Sequence, residues 1–225
     1  MIWFLLFAHF LADYPLQPGW MVLNKTRPWV LLLHIFIHWG VMLGLFWAAL
    51  PVIWPYITVL AVVHLGIDIT KNWFNVHYPE WTVRAYLVDQ LCHIISIYFV
   101  ADWVLRSNVL IGQLPFNPVV VVIGLGLLWV TYVWLITERI IVRGRLDEWL
   151  SADPQQEWSR LFVRGGLFVV LMIASNLVTP ASASLMLVLP QDPYPATFRG
   201  KAALLVDITL VILVTGFVSI VMRQL

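Results

Sequence analysis

Long apolar stretches recur along the whole chain and restrict what it can fold into. They cover roughly residues 1–13, 28–50, 55–76, 82–105, 118–140, 161–189 and 201–223. A helix needs about 20 residues to cross the hydrocarbon core of a bilayer. Of the 225 residues, 61% are hydrophobic and only 11% are charged. The sequence therefore predicts an all-α, polytopic transmembrane helical bundle with about seven membrane segments.

Because proline stops helices and suits turns, Pro51 and Pro55 are predicted to bracket a tight turn.

Arginine and lysine placement predicts how the bundle is oriented, because cytoplasmic loops carry an excess of both residues. If the N-terminus is outside, ten of these residues lie on the cytoplasmic side and three on the other. The ten are Lys25, Arg27, Lys71, Arg84, Arg139, Arg143, Arg145, Arg160, Arg164 and Arg223, and the three are Arg106, Arg199 and Lys201. We therefore predict an external N-terminus and a cytoplasmic C-terminus.

All six histidines lie within the first 93 residues, and five of them lie four positions from another histidine or an aspartate. The pairs are His9/Asp13, His34/His38, His64/Asp68 and Asp89/His93. Since residues four apart share one face of an α-helix, each pair presents two polar side chains from one side of one helix. Ionisable groups inside a membrane usually turn toward the bundle interior. The pairs therefore predict one buried polar centre.

Depth in the membrane supports a shared centre. At about 1.5 Å of rise per residue, His34 and His38 lie roughly 9 to 15 Å from the helix start at Pro28. Asp89 and His93 lie at a similar depth when counted from Thr82, and the pairs on the first and third stretches fall in the same half of the bilayer. Unrelated core histidines would have no reason to share one depth.

Five imidazoles and three carboxylates are more ligands than one ion takes. Catalytic zinc typically uses three protein ligands, so the set predicts a divalent-metal centre with zinc, up to two ions, or iron as the alternative. The predicted ligands are His9, Asp13, His34, His38, His64, Asp68, Asp89 and His93. Asp13, Asp68 and Asp89 are candidate general bases. Lys71 is a candidate for holding an anionic substrate group, for pairing with a ligand carboxylate or for extending to the headgroups. Gln17 and Gln90 are predicted neighbours of the ligands, and Gln17, Asn24 and Lys25 lie in a segment predicted to cap the site.

From Asn108 onward the chain has no histidine. We therefore predict a four-helix, His/Asp-rich bundle over residues 1–106 and a three-helix membrane scaffold over residues 107–225. Residues 138–160 mix charged residues with tryptophan, which is typical of an interfacial segment on the cytoplasmic face. Asp207 is predicted to join helices or to face the headgroups rather than to react. The helices of residues 118–223 are a candidate surface for a protein partner.

The ordered motifs resemble those of an uncharacterised bacterial and phage integral-membrane family, domain-of-unknown-function family 3307. The motifs are His9-Phe-Leu-Ala-Asp13-Tyr-Pro-Leu-Gln17, the His34/His38 helix, His64-Leu-Gly-Ile-Asp68-Ile-Thr-Lys71 and Asp89-Gln90-Leu-Cys-His93. This resemblance implies the inner (plasma) membrane of a bacterium. The His-x-x-x-Asp element, at His9/Asp13 and His64/Asp68, is also similar to that of predicted membrane-bound metal-dependent hydrolases and, more remotely, of the zinc phospholipase C group. That second resemblance implies zinc-dependent phosphoester hydrolysis.

The leading hypothesis is a membrane-embedded metal-dependent hydrolase of a lipid or phosphoester at the cytoplasmic leaflet, with membrane lipid as its partner. One alternative is a non-catalytic subunit of a membrane complex, and another is an ion or proton relay built from the same groups. A di-iron lipid oxidase and haem ligation by His64 and His93 are further alternatives. A net charge of +1 and the lack of a basic stripe argue against a nucleic-acid partner;.

Overall fold

The computed structural model describes residues 1–107, 116–143, 154–176 and 198–225, and the regular structure in these ranges is helical throughout. The helices are α1 (Ile2–Asp13), α2 (Gly19–Leu23), α3 (Pro28–Leu45), α4 (Leu50–His77), α5 (Thr82–Arg106), α6 (Pro118–Leu128), α7 (Trp134–Arg143), α8 (Pro154–Asn176) and α9 (Phe198–Met222). Short 3₁₀ turns at Trp47–Ala49 and Pro79–Trp81 precede α4 and α5, and a π-helical turn at Trp129–Val133 joins α6 to α7. Residues 144–153 of the predicted interfacial segment 138–160 lie outside the described residues.

Among the described residues, five helical segments are long and apolar enough to cross a membrane, so the chain is an integral membrane protein;. They are Pro28–Leu45, Trp47–His77, Pro79–Arg106, Pro118–Ile141 and Lys201–Met222. Helix α1 is apolar but shorter, at 12 residues. The predicted count of about seven membrane segments and the predicted orientation go beyond this finding and stay predictions.

The predicted turn between Pro51 and Pro55 is wrong. Helix α3 ends at Leu45, the 3₁₀ turn Trp47–Ala49 follows, and both prolines lie inside α4. Pro51 occupies the first turn of α4, where a missing N–H removes no helical hydrogen bond;. Pro55 lies further inside the helix, where the apolar surroundings keep the chain helical despite the lost donor.

The chain divides into two compact units, one of residues 1–121 with 138–150 and one of residues 122–137 with 151–225. In the first unit, α1, α3, α4 and α5 pack around an apolar cluster. Its members include Phe4, Leu5, Met42, Phe46, Ile53, Ile57, Leu60, Ile97 and Val104. These residues come from the start of α1, the end of α3, the start of α4 and the end of α5. The cluster thus fills one end of the bundle and leaves the opposite halves of the same four helices to the polar pairs.

The second unit is held by close helix contacts and by one buried ionic group. A Cβ atom added at Gly126 would lie 2.8 Å from Cζ of Phe168 and 2.7 Å from Cγ2 of Val218, so glycine permits this approach. Asp207 lies 2.9 Å from Nη2 of Arg160 and 3.2 Å from Nη1 of Arg164. Asp207 therefore links α9 to α8 through two arginines.

Candidate metal centre

Each of the four packed helices of the first unit contributes one i,i+4 pair to a single cluster. Helix α1 carries His9 and Asp13, α3 carries His34 and His38, α4 carries His64 and Asp68, and α5 carries Asp89 and His93. The five imidazoles, Asp68 and Asp89 are buried to 3% exposure or less. Ring centroids of His38 and His64, and of His64 and His93, are 4.0 Å apart. The structure thus brings all eight predicted ligands together.

One set of four ligand atoms converges within this cluster. It consists of one oxygen of Asp13 and one nitrogen each of His34, His38 and His64, all within 4.8 Å of one another. Oδ1 of Asp13 lies 3.0 Å from Nε2 of His38 and 3.1 Å from Nε2 of His34. Nε2 of His34 lies 3.4 Å from Nε2 of His64. Zinc–ligand bonds of 2.0–2.1 Å in a tetrahedron imply ligand separations of about 3.3 Å, so these three distances fit one tetrahedral ion.

Gln17 determines which nitrogen of His34 faces the cluster. When the Gln17 amide oxygen faces Lys25, it accepts hydrogen bonds from Nζ of Lys25 at 2.7 Å and from Nδ1 of His34 at 3.3 Å. The amide nitrogen then donates to the backbone oxygen of Asp13 at 2.9 Å. Because Nδ1 of His34 carries the hydrogen in this network, Nε2 of the neutral ring holds a lone pair. That lone pair faces a carboxylate oxygen and a second imidazole, an arrangement that a cation between them would stabilise.

A second set of ligand atoms shares one residue with the first. It consists of His64, Asp68 and His93, again within 4.8 Å of one another. Oδ2 of Asp68 lies 3.7 Å from Nε2 of His64, and Oδ1 of Asp68 lies 3.7 Å from Nε2 of His93. Asp89 extends this side of the cluster, with Oδ1 3.3 Å from Nε2 of His93.

His9 lies between the two sets without belonging to either. Its Nε2 is 3.4 Å from Oδ2 of Asp13, and its ring centroid is 5.0 Å from that of His93 and 5.4 Å from those of His38 and His64. The structure therefore places His9 in the cluster but, like Asp89, outside both sets of converging ligand atoms.

Several buried polar atoms of the cluster make no well-aligned hydrogen bond within the described ranges, although Nε2 of His9 and Nε2 of His93 each have a carboxylate oxygen at 3.4 and 3.3 Å. They are Nδ1 and Nε2 of His9, Nδ1 and Nε2 of His93, Nδ1 of His38 and Oδ1 of Asp89. A buried polar atom without a partner costs roughly 1–3 kcal/mol. The cluster therefore contains many nitrogen and oxygen atoms that could bind a metal, and several of them lack a good hydrogen bond. This combination fits a divalent cation of the kind that imidazole and carboxylate ligands bind.

Two lysines contact the aspartates of the cluster. Nζ of Lys25 lies 3.1 Å from Oδ2 of Asp68, and the backbone oxygen of Lys25 accepts a hydrogen bond from Asn72 at 3.0 Å. Nζ of Lys71 lies 2.8 Å from Oδ2 of Asp89 and 3.8 Å from Oδ1 of Asp68. The aspartates on the His93 side are thus already paired with ammonium groups.

A tyrosine pair joins the cluster to the end of α1. The hydroxyls of Tyr14 and Tyr86 are 2.7 Å apart, and Tyr14 donates to Oε1 of Gln90 at 3.4 Å. Nε2 of Gln90 in turn donates to Oδ2 of Asp89 at 3.2 Å and to Oδ2 of Asp13 at 3.5 Å. Gln90 therefore bridges two of the aspartates.

Three residues of the cluster and its surroundings are not predicted by the sequence. The sequence pattern places Lys25 in a capping segment rather than in the cluster, and it does not single out Tyr14 or Tyr86. The available signal for Lys25 was charge balance, because three buried aspartates face only one lysine, Lys71, in the helices. His77 lies outside the cluster, with its Nδ1 2.9 Å from the backbone oxygen of Trp73.

A helical membrane bundle with a buried imidazole–carboxylate cluster defines the class: an integral membrane protein with a candidate metal centre. The chain belongs to the family described as Protein of unknown function (DUF3307), whose model matches residues 1–120. The matched region contains all four helices that supply the cluster. Comparisons with curated proteins and with solved structures found no match.

Proposed function

We propose that this protein is a membrane-embedded, metal-dependent hydrolase that acts on a lipid or another phosphoester. The observation that carries the metal centre is the contact between His34 and Asp13. With Nδ1 of His34 bonded to Gln17, two acceptor atoms lie 3.1 Å apart in a buried site. A divalent cation bound by both atoms turns this repulsion into attraction.

Zinc is the proposed metal because the converging set has three imidazoles and one carboxylate. Zinc accepts three imidazoles and one carboxylate, is redox-inert, and can expand to five-coordinate geometry to take up a water or substrate oxygen. Iron is the alternative, since imidazole also suits iron. With iron bound, the same site supports the oxidation of a lipid instead.

When bound, such an ion supplies Lewis-acid chemistry, making water more acidic and polarising a phosphoryl or acyl oxygen. The residues of the chain supply the rest. An aspartate, with Asp68 and Asp89 on the His93 side as the leading candidates and Asp13 as the third, accepts a proton as general base. Lys71 is the more exposed of the two cluster lysines, with 16% of its side chain accessible against 8% for Lys25. We assign Lys71 to hold an anionic substrate group.

Local charge favours an anionic substrate. Three aspartates and two lysines give the cluster a net charge of −1 when all five imidazoles are counted as neutral. One divalent ion raises this net charge to +1. Because a buried positive site attracts anions strongly in a medium of low dielectric constant, a phosphodiester or a carboxylate-bearing lipid is the complementary substrate class.

We further propose that the reaction takes place at the cytoplasmic leaflet of a bacterial inner membrane, in a bundle of about seven segments with its N-terminus outside. Exposed Trp20 and Trp29 stack with ring centroids 6.2 Å apart, and exposed Trp73 and Trp81 lie at the same end of α4 and α5. Tryptophan belts mark membrane interfaces. The cluster is thus near one interface, within reach of lipid headgroups.

Lys25 and Lys71 form ion pairs inside the cluster, so they are left out of the count of positive residues that predicts orientation. The remaining arginines on the proposed cytoplasmic side still outnumber the three positive residues on the outer side.

The test is turnover in phospholipid vesicles that contain the purified protein and zinc, with release of phosphorylated headgroup as the readout. His38→Ala should lose both zinc and turnover. Asp68→Asn should keep zinc and lose turnover, and His77→Ala should keep both. The hydrolase proposal is wrong if the zinc-loaded protein hydrolyses neither the vesicle lipids nor a chromogenic phosphodiester.

A proton relay is the second candidate, favoured by one observation. The rings of His34, His38, His64 and His93 follow one another with centroids 4.5, 4.0 and 4.0 Å apart. Such a chain of imidazoles passes protons in pumps and transporters. Proton uptake by metal-free proteoliposomes under an imposed pH gradient, lost in His64→Ala, would favour the relay over the hydrolase.

A further inference from the structure

The two sets of ligand atoms compete for one residue. His64 belongs to both sets, and a neutral imidazole offers a single nitrogen lone pair. Nε2 of His64 faces the cluster, 3.4 Å from Nε2 of His34 and 3.7 Å from Oδ2 of Asp68. His64 can therefore ligate one ion in one of the two sets.

Distances favour the set that contains Asp13. There the measured edges are 3.0, 3.1 and 3.4 Å, close to the roughly 3.3 Å of a tetrahedral zinc site. In the set that contains Asp68, both measured edges are 3.7 Å and run to different oxygens of that carboxylate. The first set is thus already arranged for an ion, whereas the second set would have to contract.

Ammonium groups distinguish the two sides further. Lys25 and Lys71 lie 3.1 and 2.8 Å from the carboxylates of Asp68 and Asp89. In contrast, the ion-pair partners of Asp13 in the described part of the chain are all histidines. Two ammonium groups repel a dication and already neutralise the oxygens that would bind it. Gln17 holds Lys25 in this position at 2.7 Å.

We infer that the cluster binds one divalent ion, through Asp13, His34, His38 and His64, and that Lys25 and Lys71 occupy the place of a second ion on the His93 side. The inference rests on the proposed metal centre and refines it. The lysines keep Asp68 and Asp89 free of metal, and these carboxylates then remain available as bases. Removing both ammonium groups frees Asp68, Asp89 and His93 to form a second metal site that does not require His64.

The experiment is zinc stoichiometry of the full-length, metal-stripped protein in detergent, titrated with zinc alone and measured by mass spectrometry. The chain has three lysines, so Lys201→Met, an exposed residue of α9, is the matched control. Wild type and Lys201→Met should bind one zinc per chain. The double variant Lys25→Met/Lys71→Met should bind two, and zinc should raise its thermal midpoint more than that of wild type.

A second variant keeps the inference testable if the double variant fails to fold. Asp68→Asn should still bind one zinc, whereas a two-ion centre would lose one of its two. Two zinc ions in wild type, or one in a folded double variant, would overturn this inference and leave the metal centre standing. A wild type that binds no divalent metal would overturn both.

Discussion

Nε2 of His34 lies 3.1 Å from Oδ1 of Asp13, and both atoms are acceptors in the neutral tautomer of His34 whose Nδ1 donates to the Gln17 amide oxygen;. Gln17 thus orients a ligand without binding the ion itself. Replacing such an orienting residue typically lowers metal affinity 10- to 100-fold. We expect Gln17→Leu to weaken zinc binding by about 10-fold or more, whereas Gln224→Leu, at an exposed position near the C-terminus, should leave it unchanged. Competition titration with a chelating dye measures both, and an unchanged affinity for Gln17→Leu would contradict the assigned orientation of His34.

Metal binding should stabilise the fold. The ligands come from α1, α3 and α4, so an ion ties together helices that the unfolded protein does not hold at these distances. A ligand that binds only the native state at 100 times its Kd adds about 2.7 kcal/mol to the free energy of unfolding. We expect zinc to raise the thermal midpoint of wild type and His77→Ala but not that of His38→Ala. Equal shifts in all three would place the zinc elsewhere.

The Lys25–Asp68 ion pair should couple strongly in the metal-free protein. Both side chains are buried, and removing one partner of a buried pair typically costs about 3–5 kcal/mol because the other charge is left uncompensated. We expect Lys25→Met to destabilise the protein by an amount in this range, and Lys25→Met/Asp68→Asn to recover much of it.

The control for that pair is Arg106 with Asp102, whose side chains are 79% and 35% exposed. An exposed pair of this kind contributes about 0.2–1 kcal/mol. Double-mutant cycles by thermal or detergent-induced unfolding compare the two pairs. A coupling energy for Lys25–Asp68 no larger than that of the exposed pair would show that the buried contact is not maintained.

Gly126 should tolerate no larger side chain. A Cβ atom there meets Phe168 and Val218 at less than 3 Å, whereas a Cβ atom at Gly166 meets nothing within 4 Å. Overpacking of this kind costs about 1–3 kcal/mol. Gly126→Ala should therefore lower the thermal midpoint, and Gly166→Ala should leave it unchanged or raise it. Equal midpoints would mean that α6 can move away from its neighbours at no cost.

The helical, membrane-spanning architecture was predictable because apolar length and composition alone determine it. The gathering of four pairs was predictable for a related reason: each pair fixes one helix face, and only a bundle interior can accept those faces. Helix ends were less predictable. The prolines near residue 50 indicated a turn, yet Pro51 suits a first helical turn as well as a loop.

The pairing inside the cluster was not predictable from spacing. Lys25 lies in a proline-flanked connection where a lysine usually extends to headgroups, and its contact with Asp68 depends on how residues 14–27 fold back over α4. Likewise, eight ligand residues suggested two ions, whereas the division into a histidine-rich side and a lysine-paired side depends on distances that the sequence does not contain.

Metal content of the purified protein tests the central claim most directly. Wild type, His34→Ala and His77→Ala would be loaded with zinc, freed of excess metal and analysed by mass spectrometry beside a quantified protein concentration. We expect wild type and His77→Ala to retain a divalent ion in stoichiometric amount and His34→Ala to retain none. A wild type that retains no zinc, and takes up no iron either, would contradict the assignment of a metal centre.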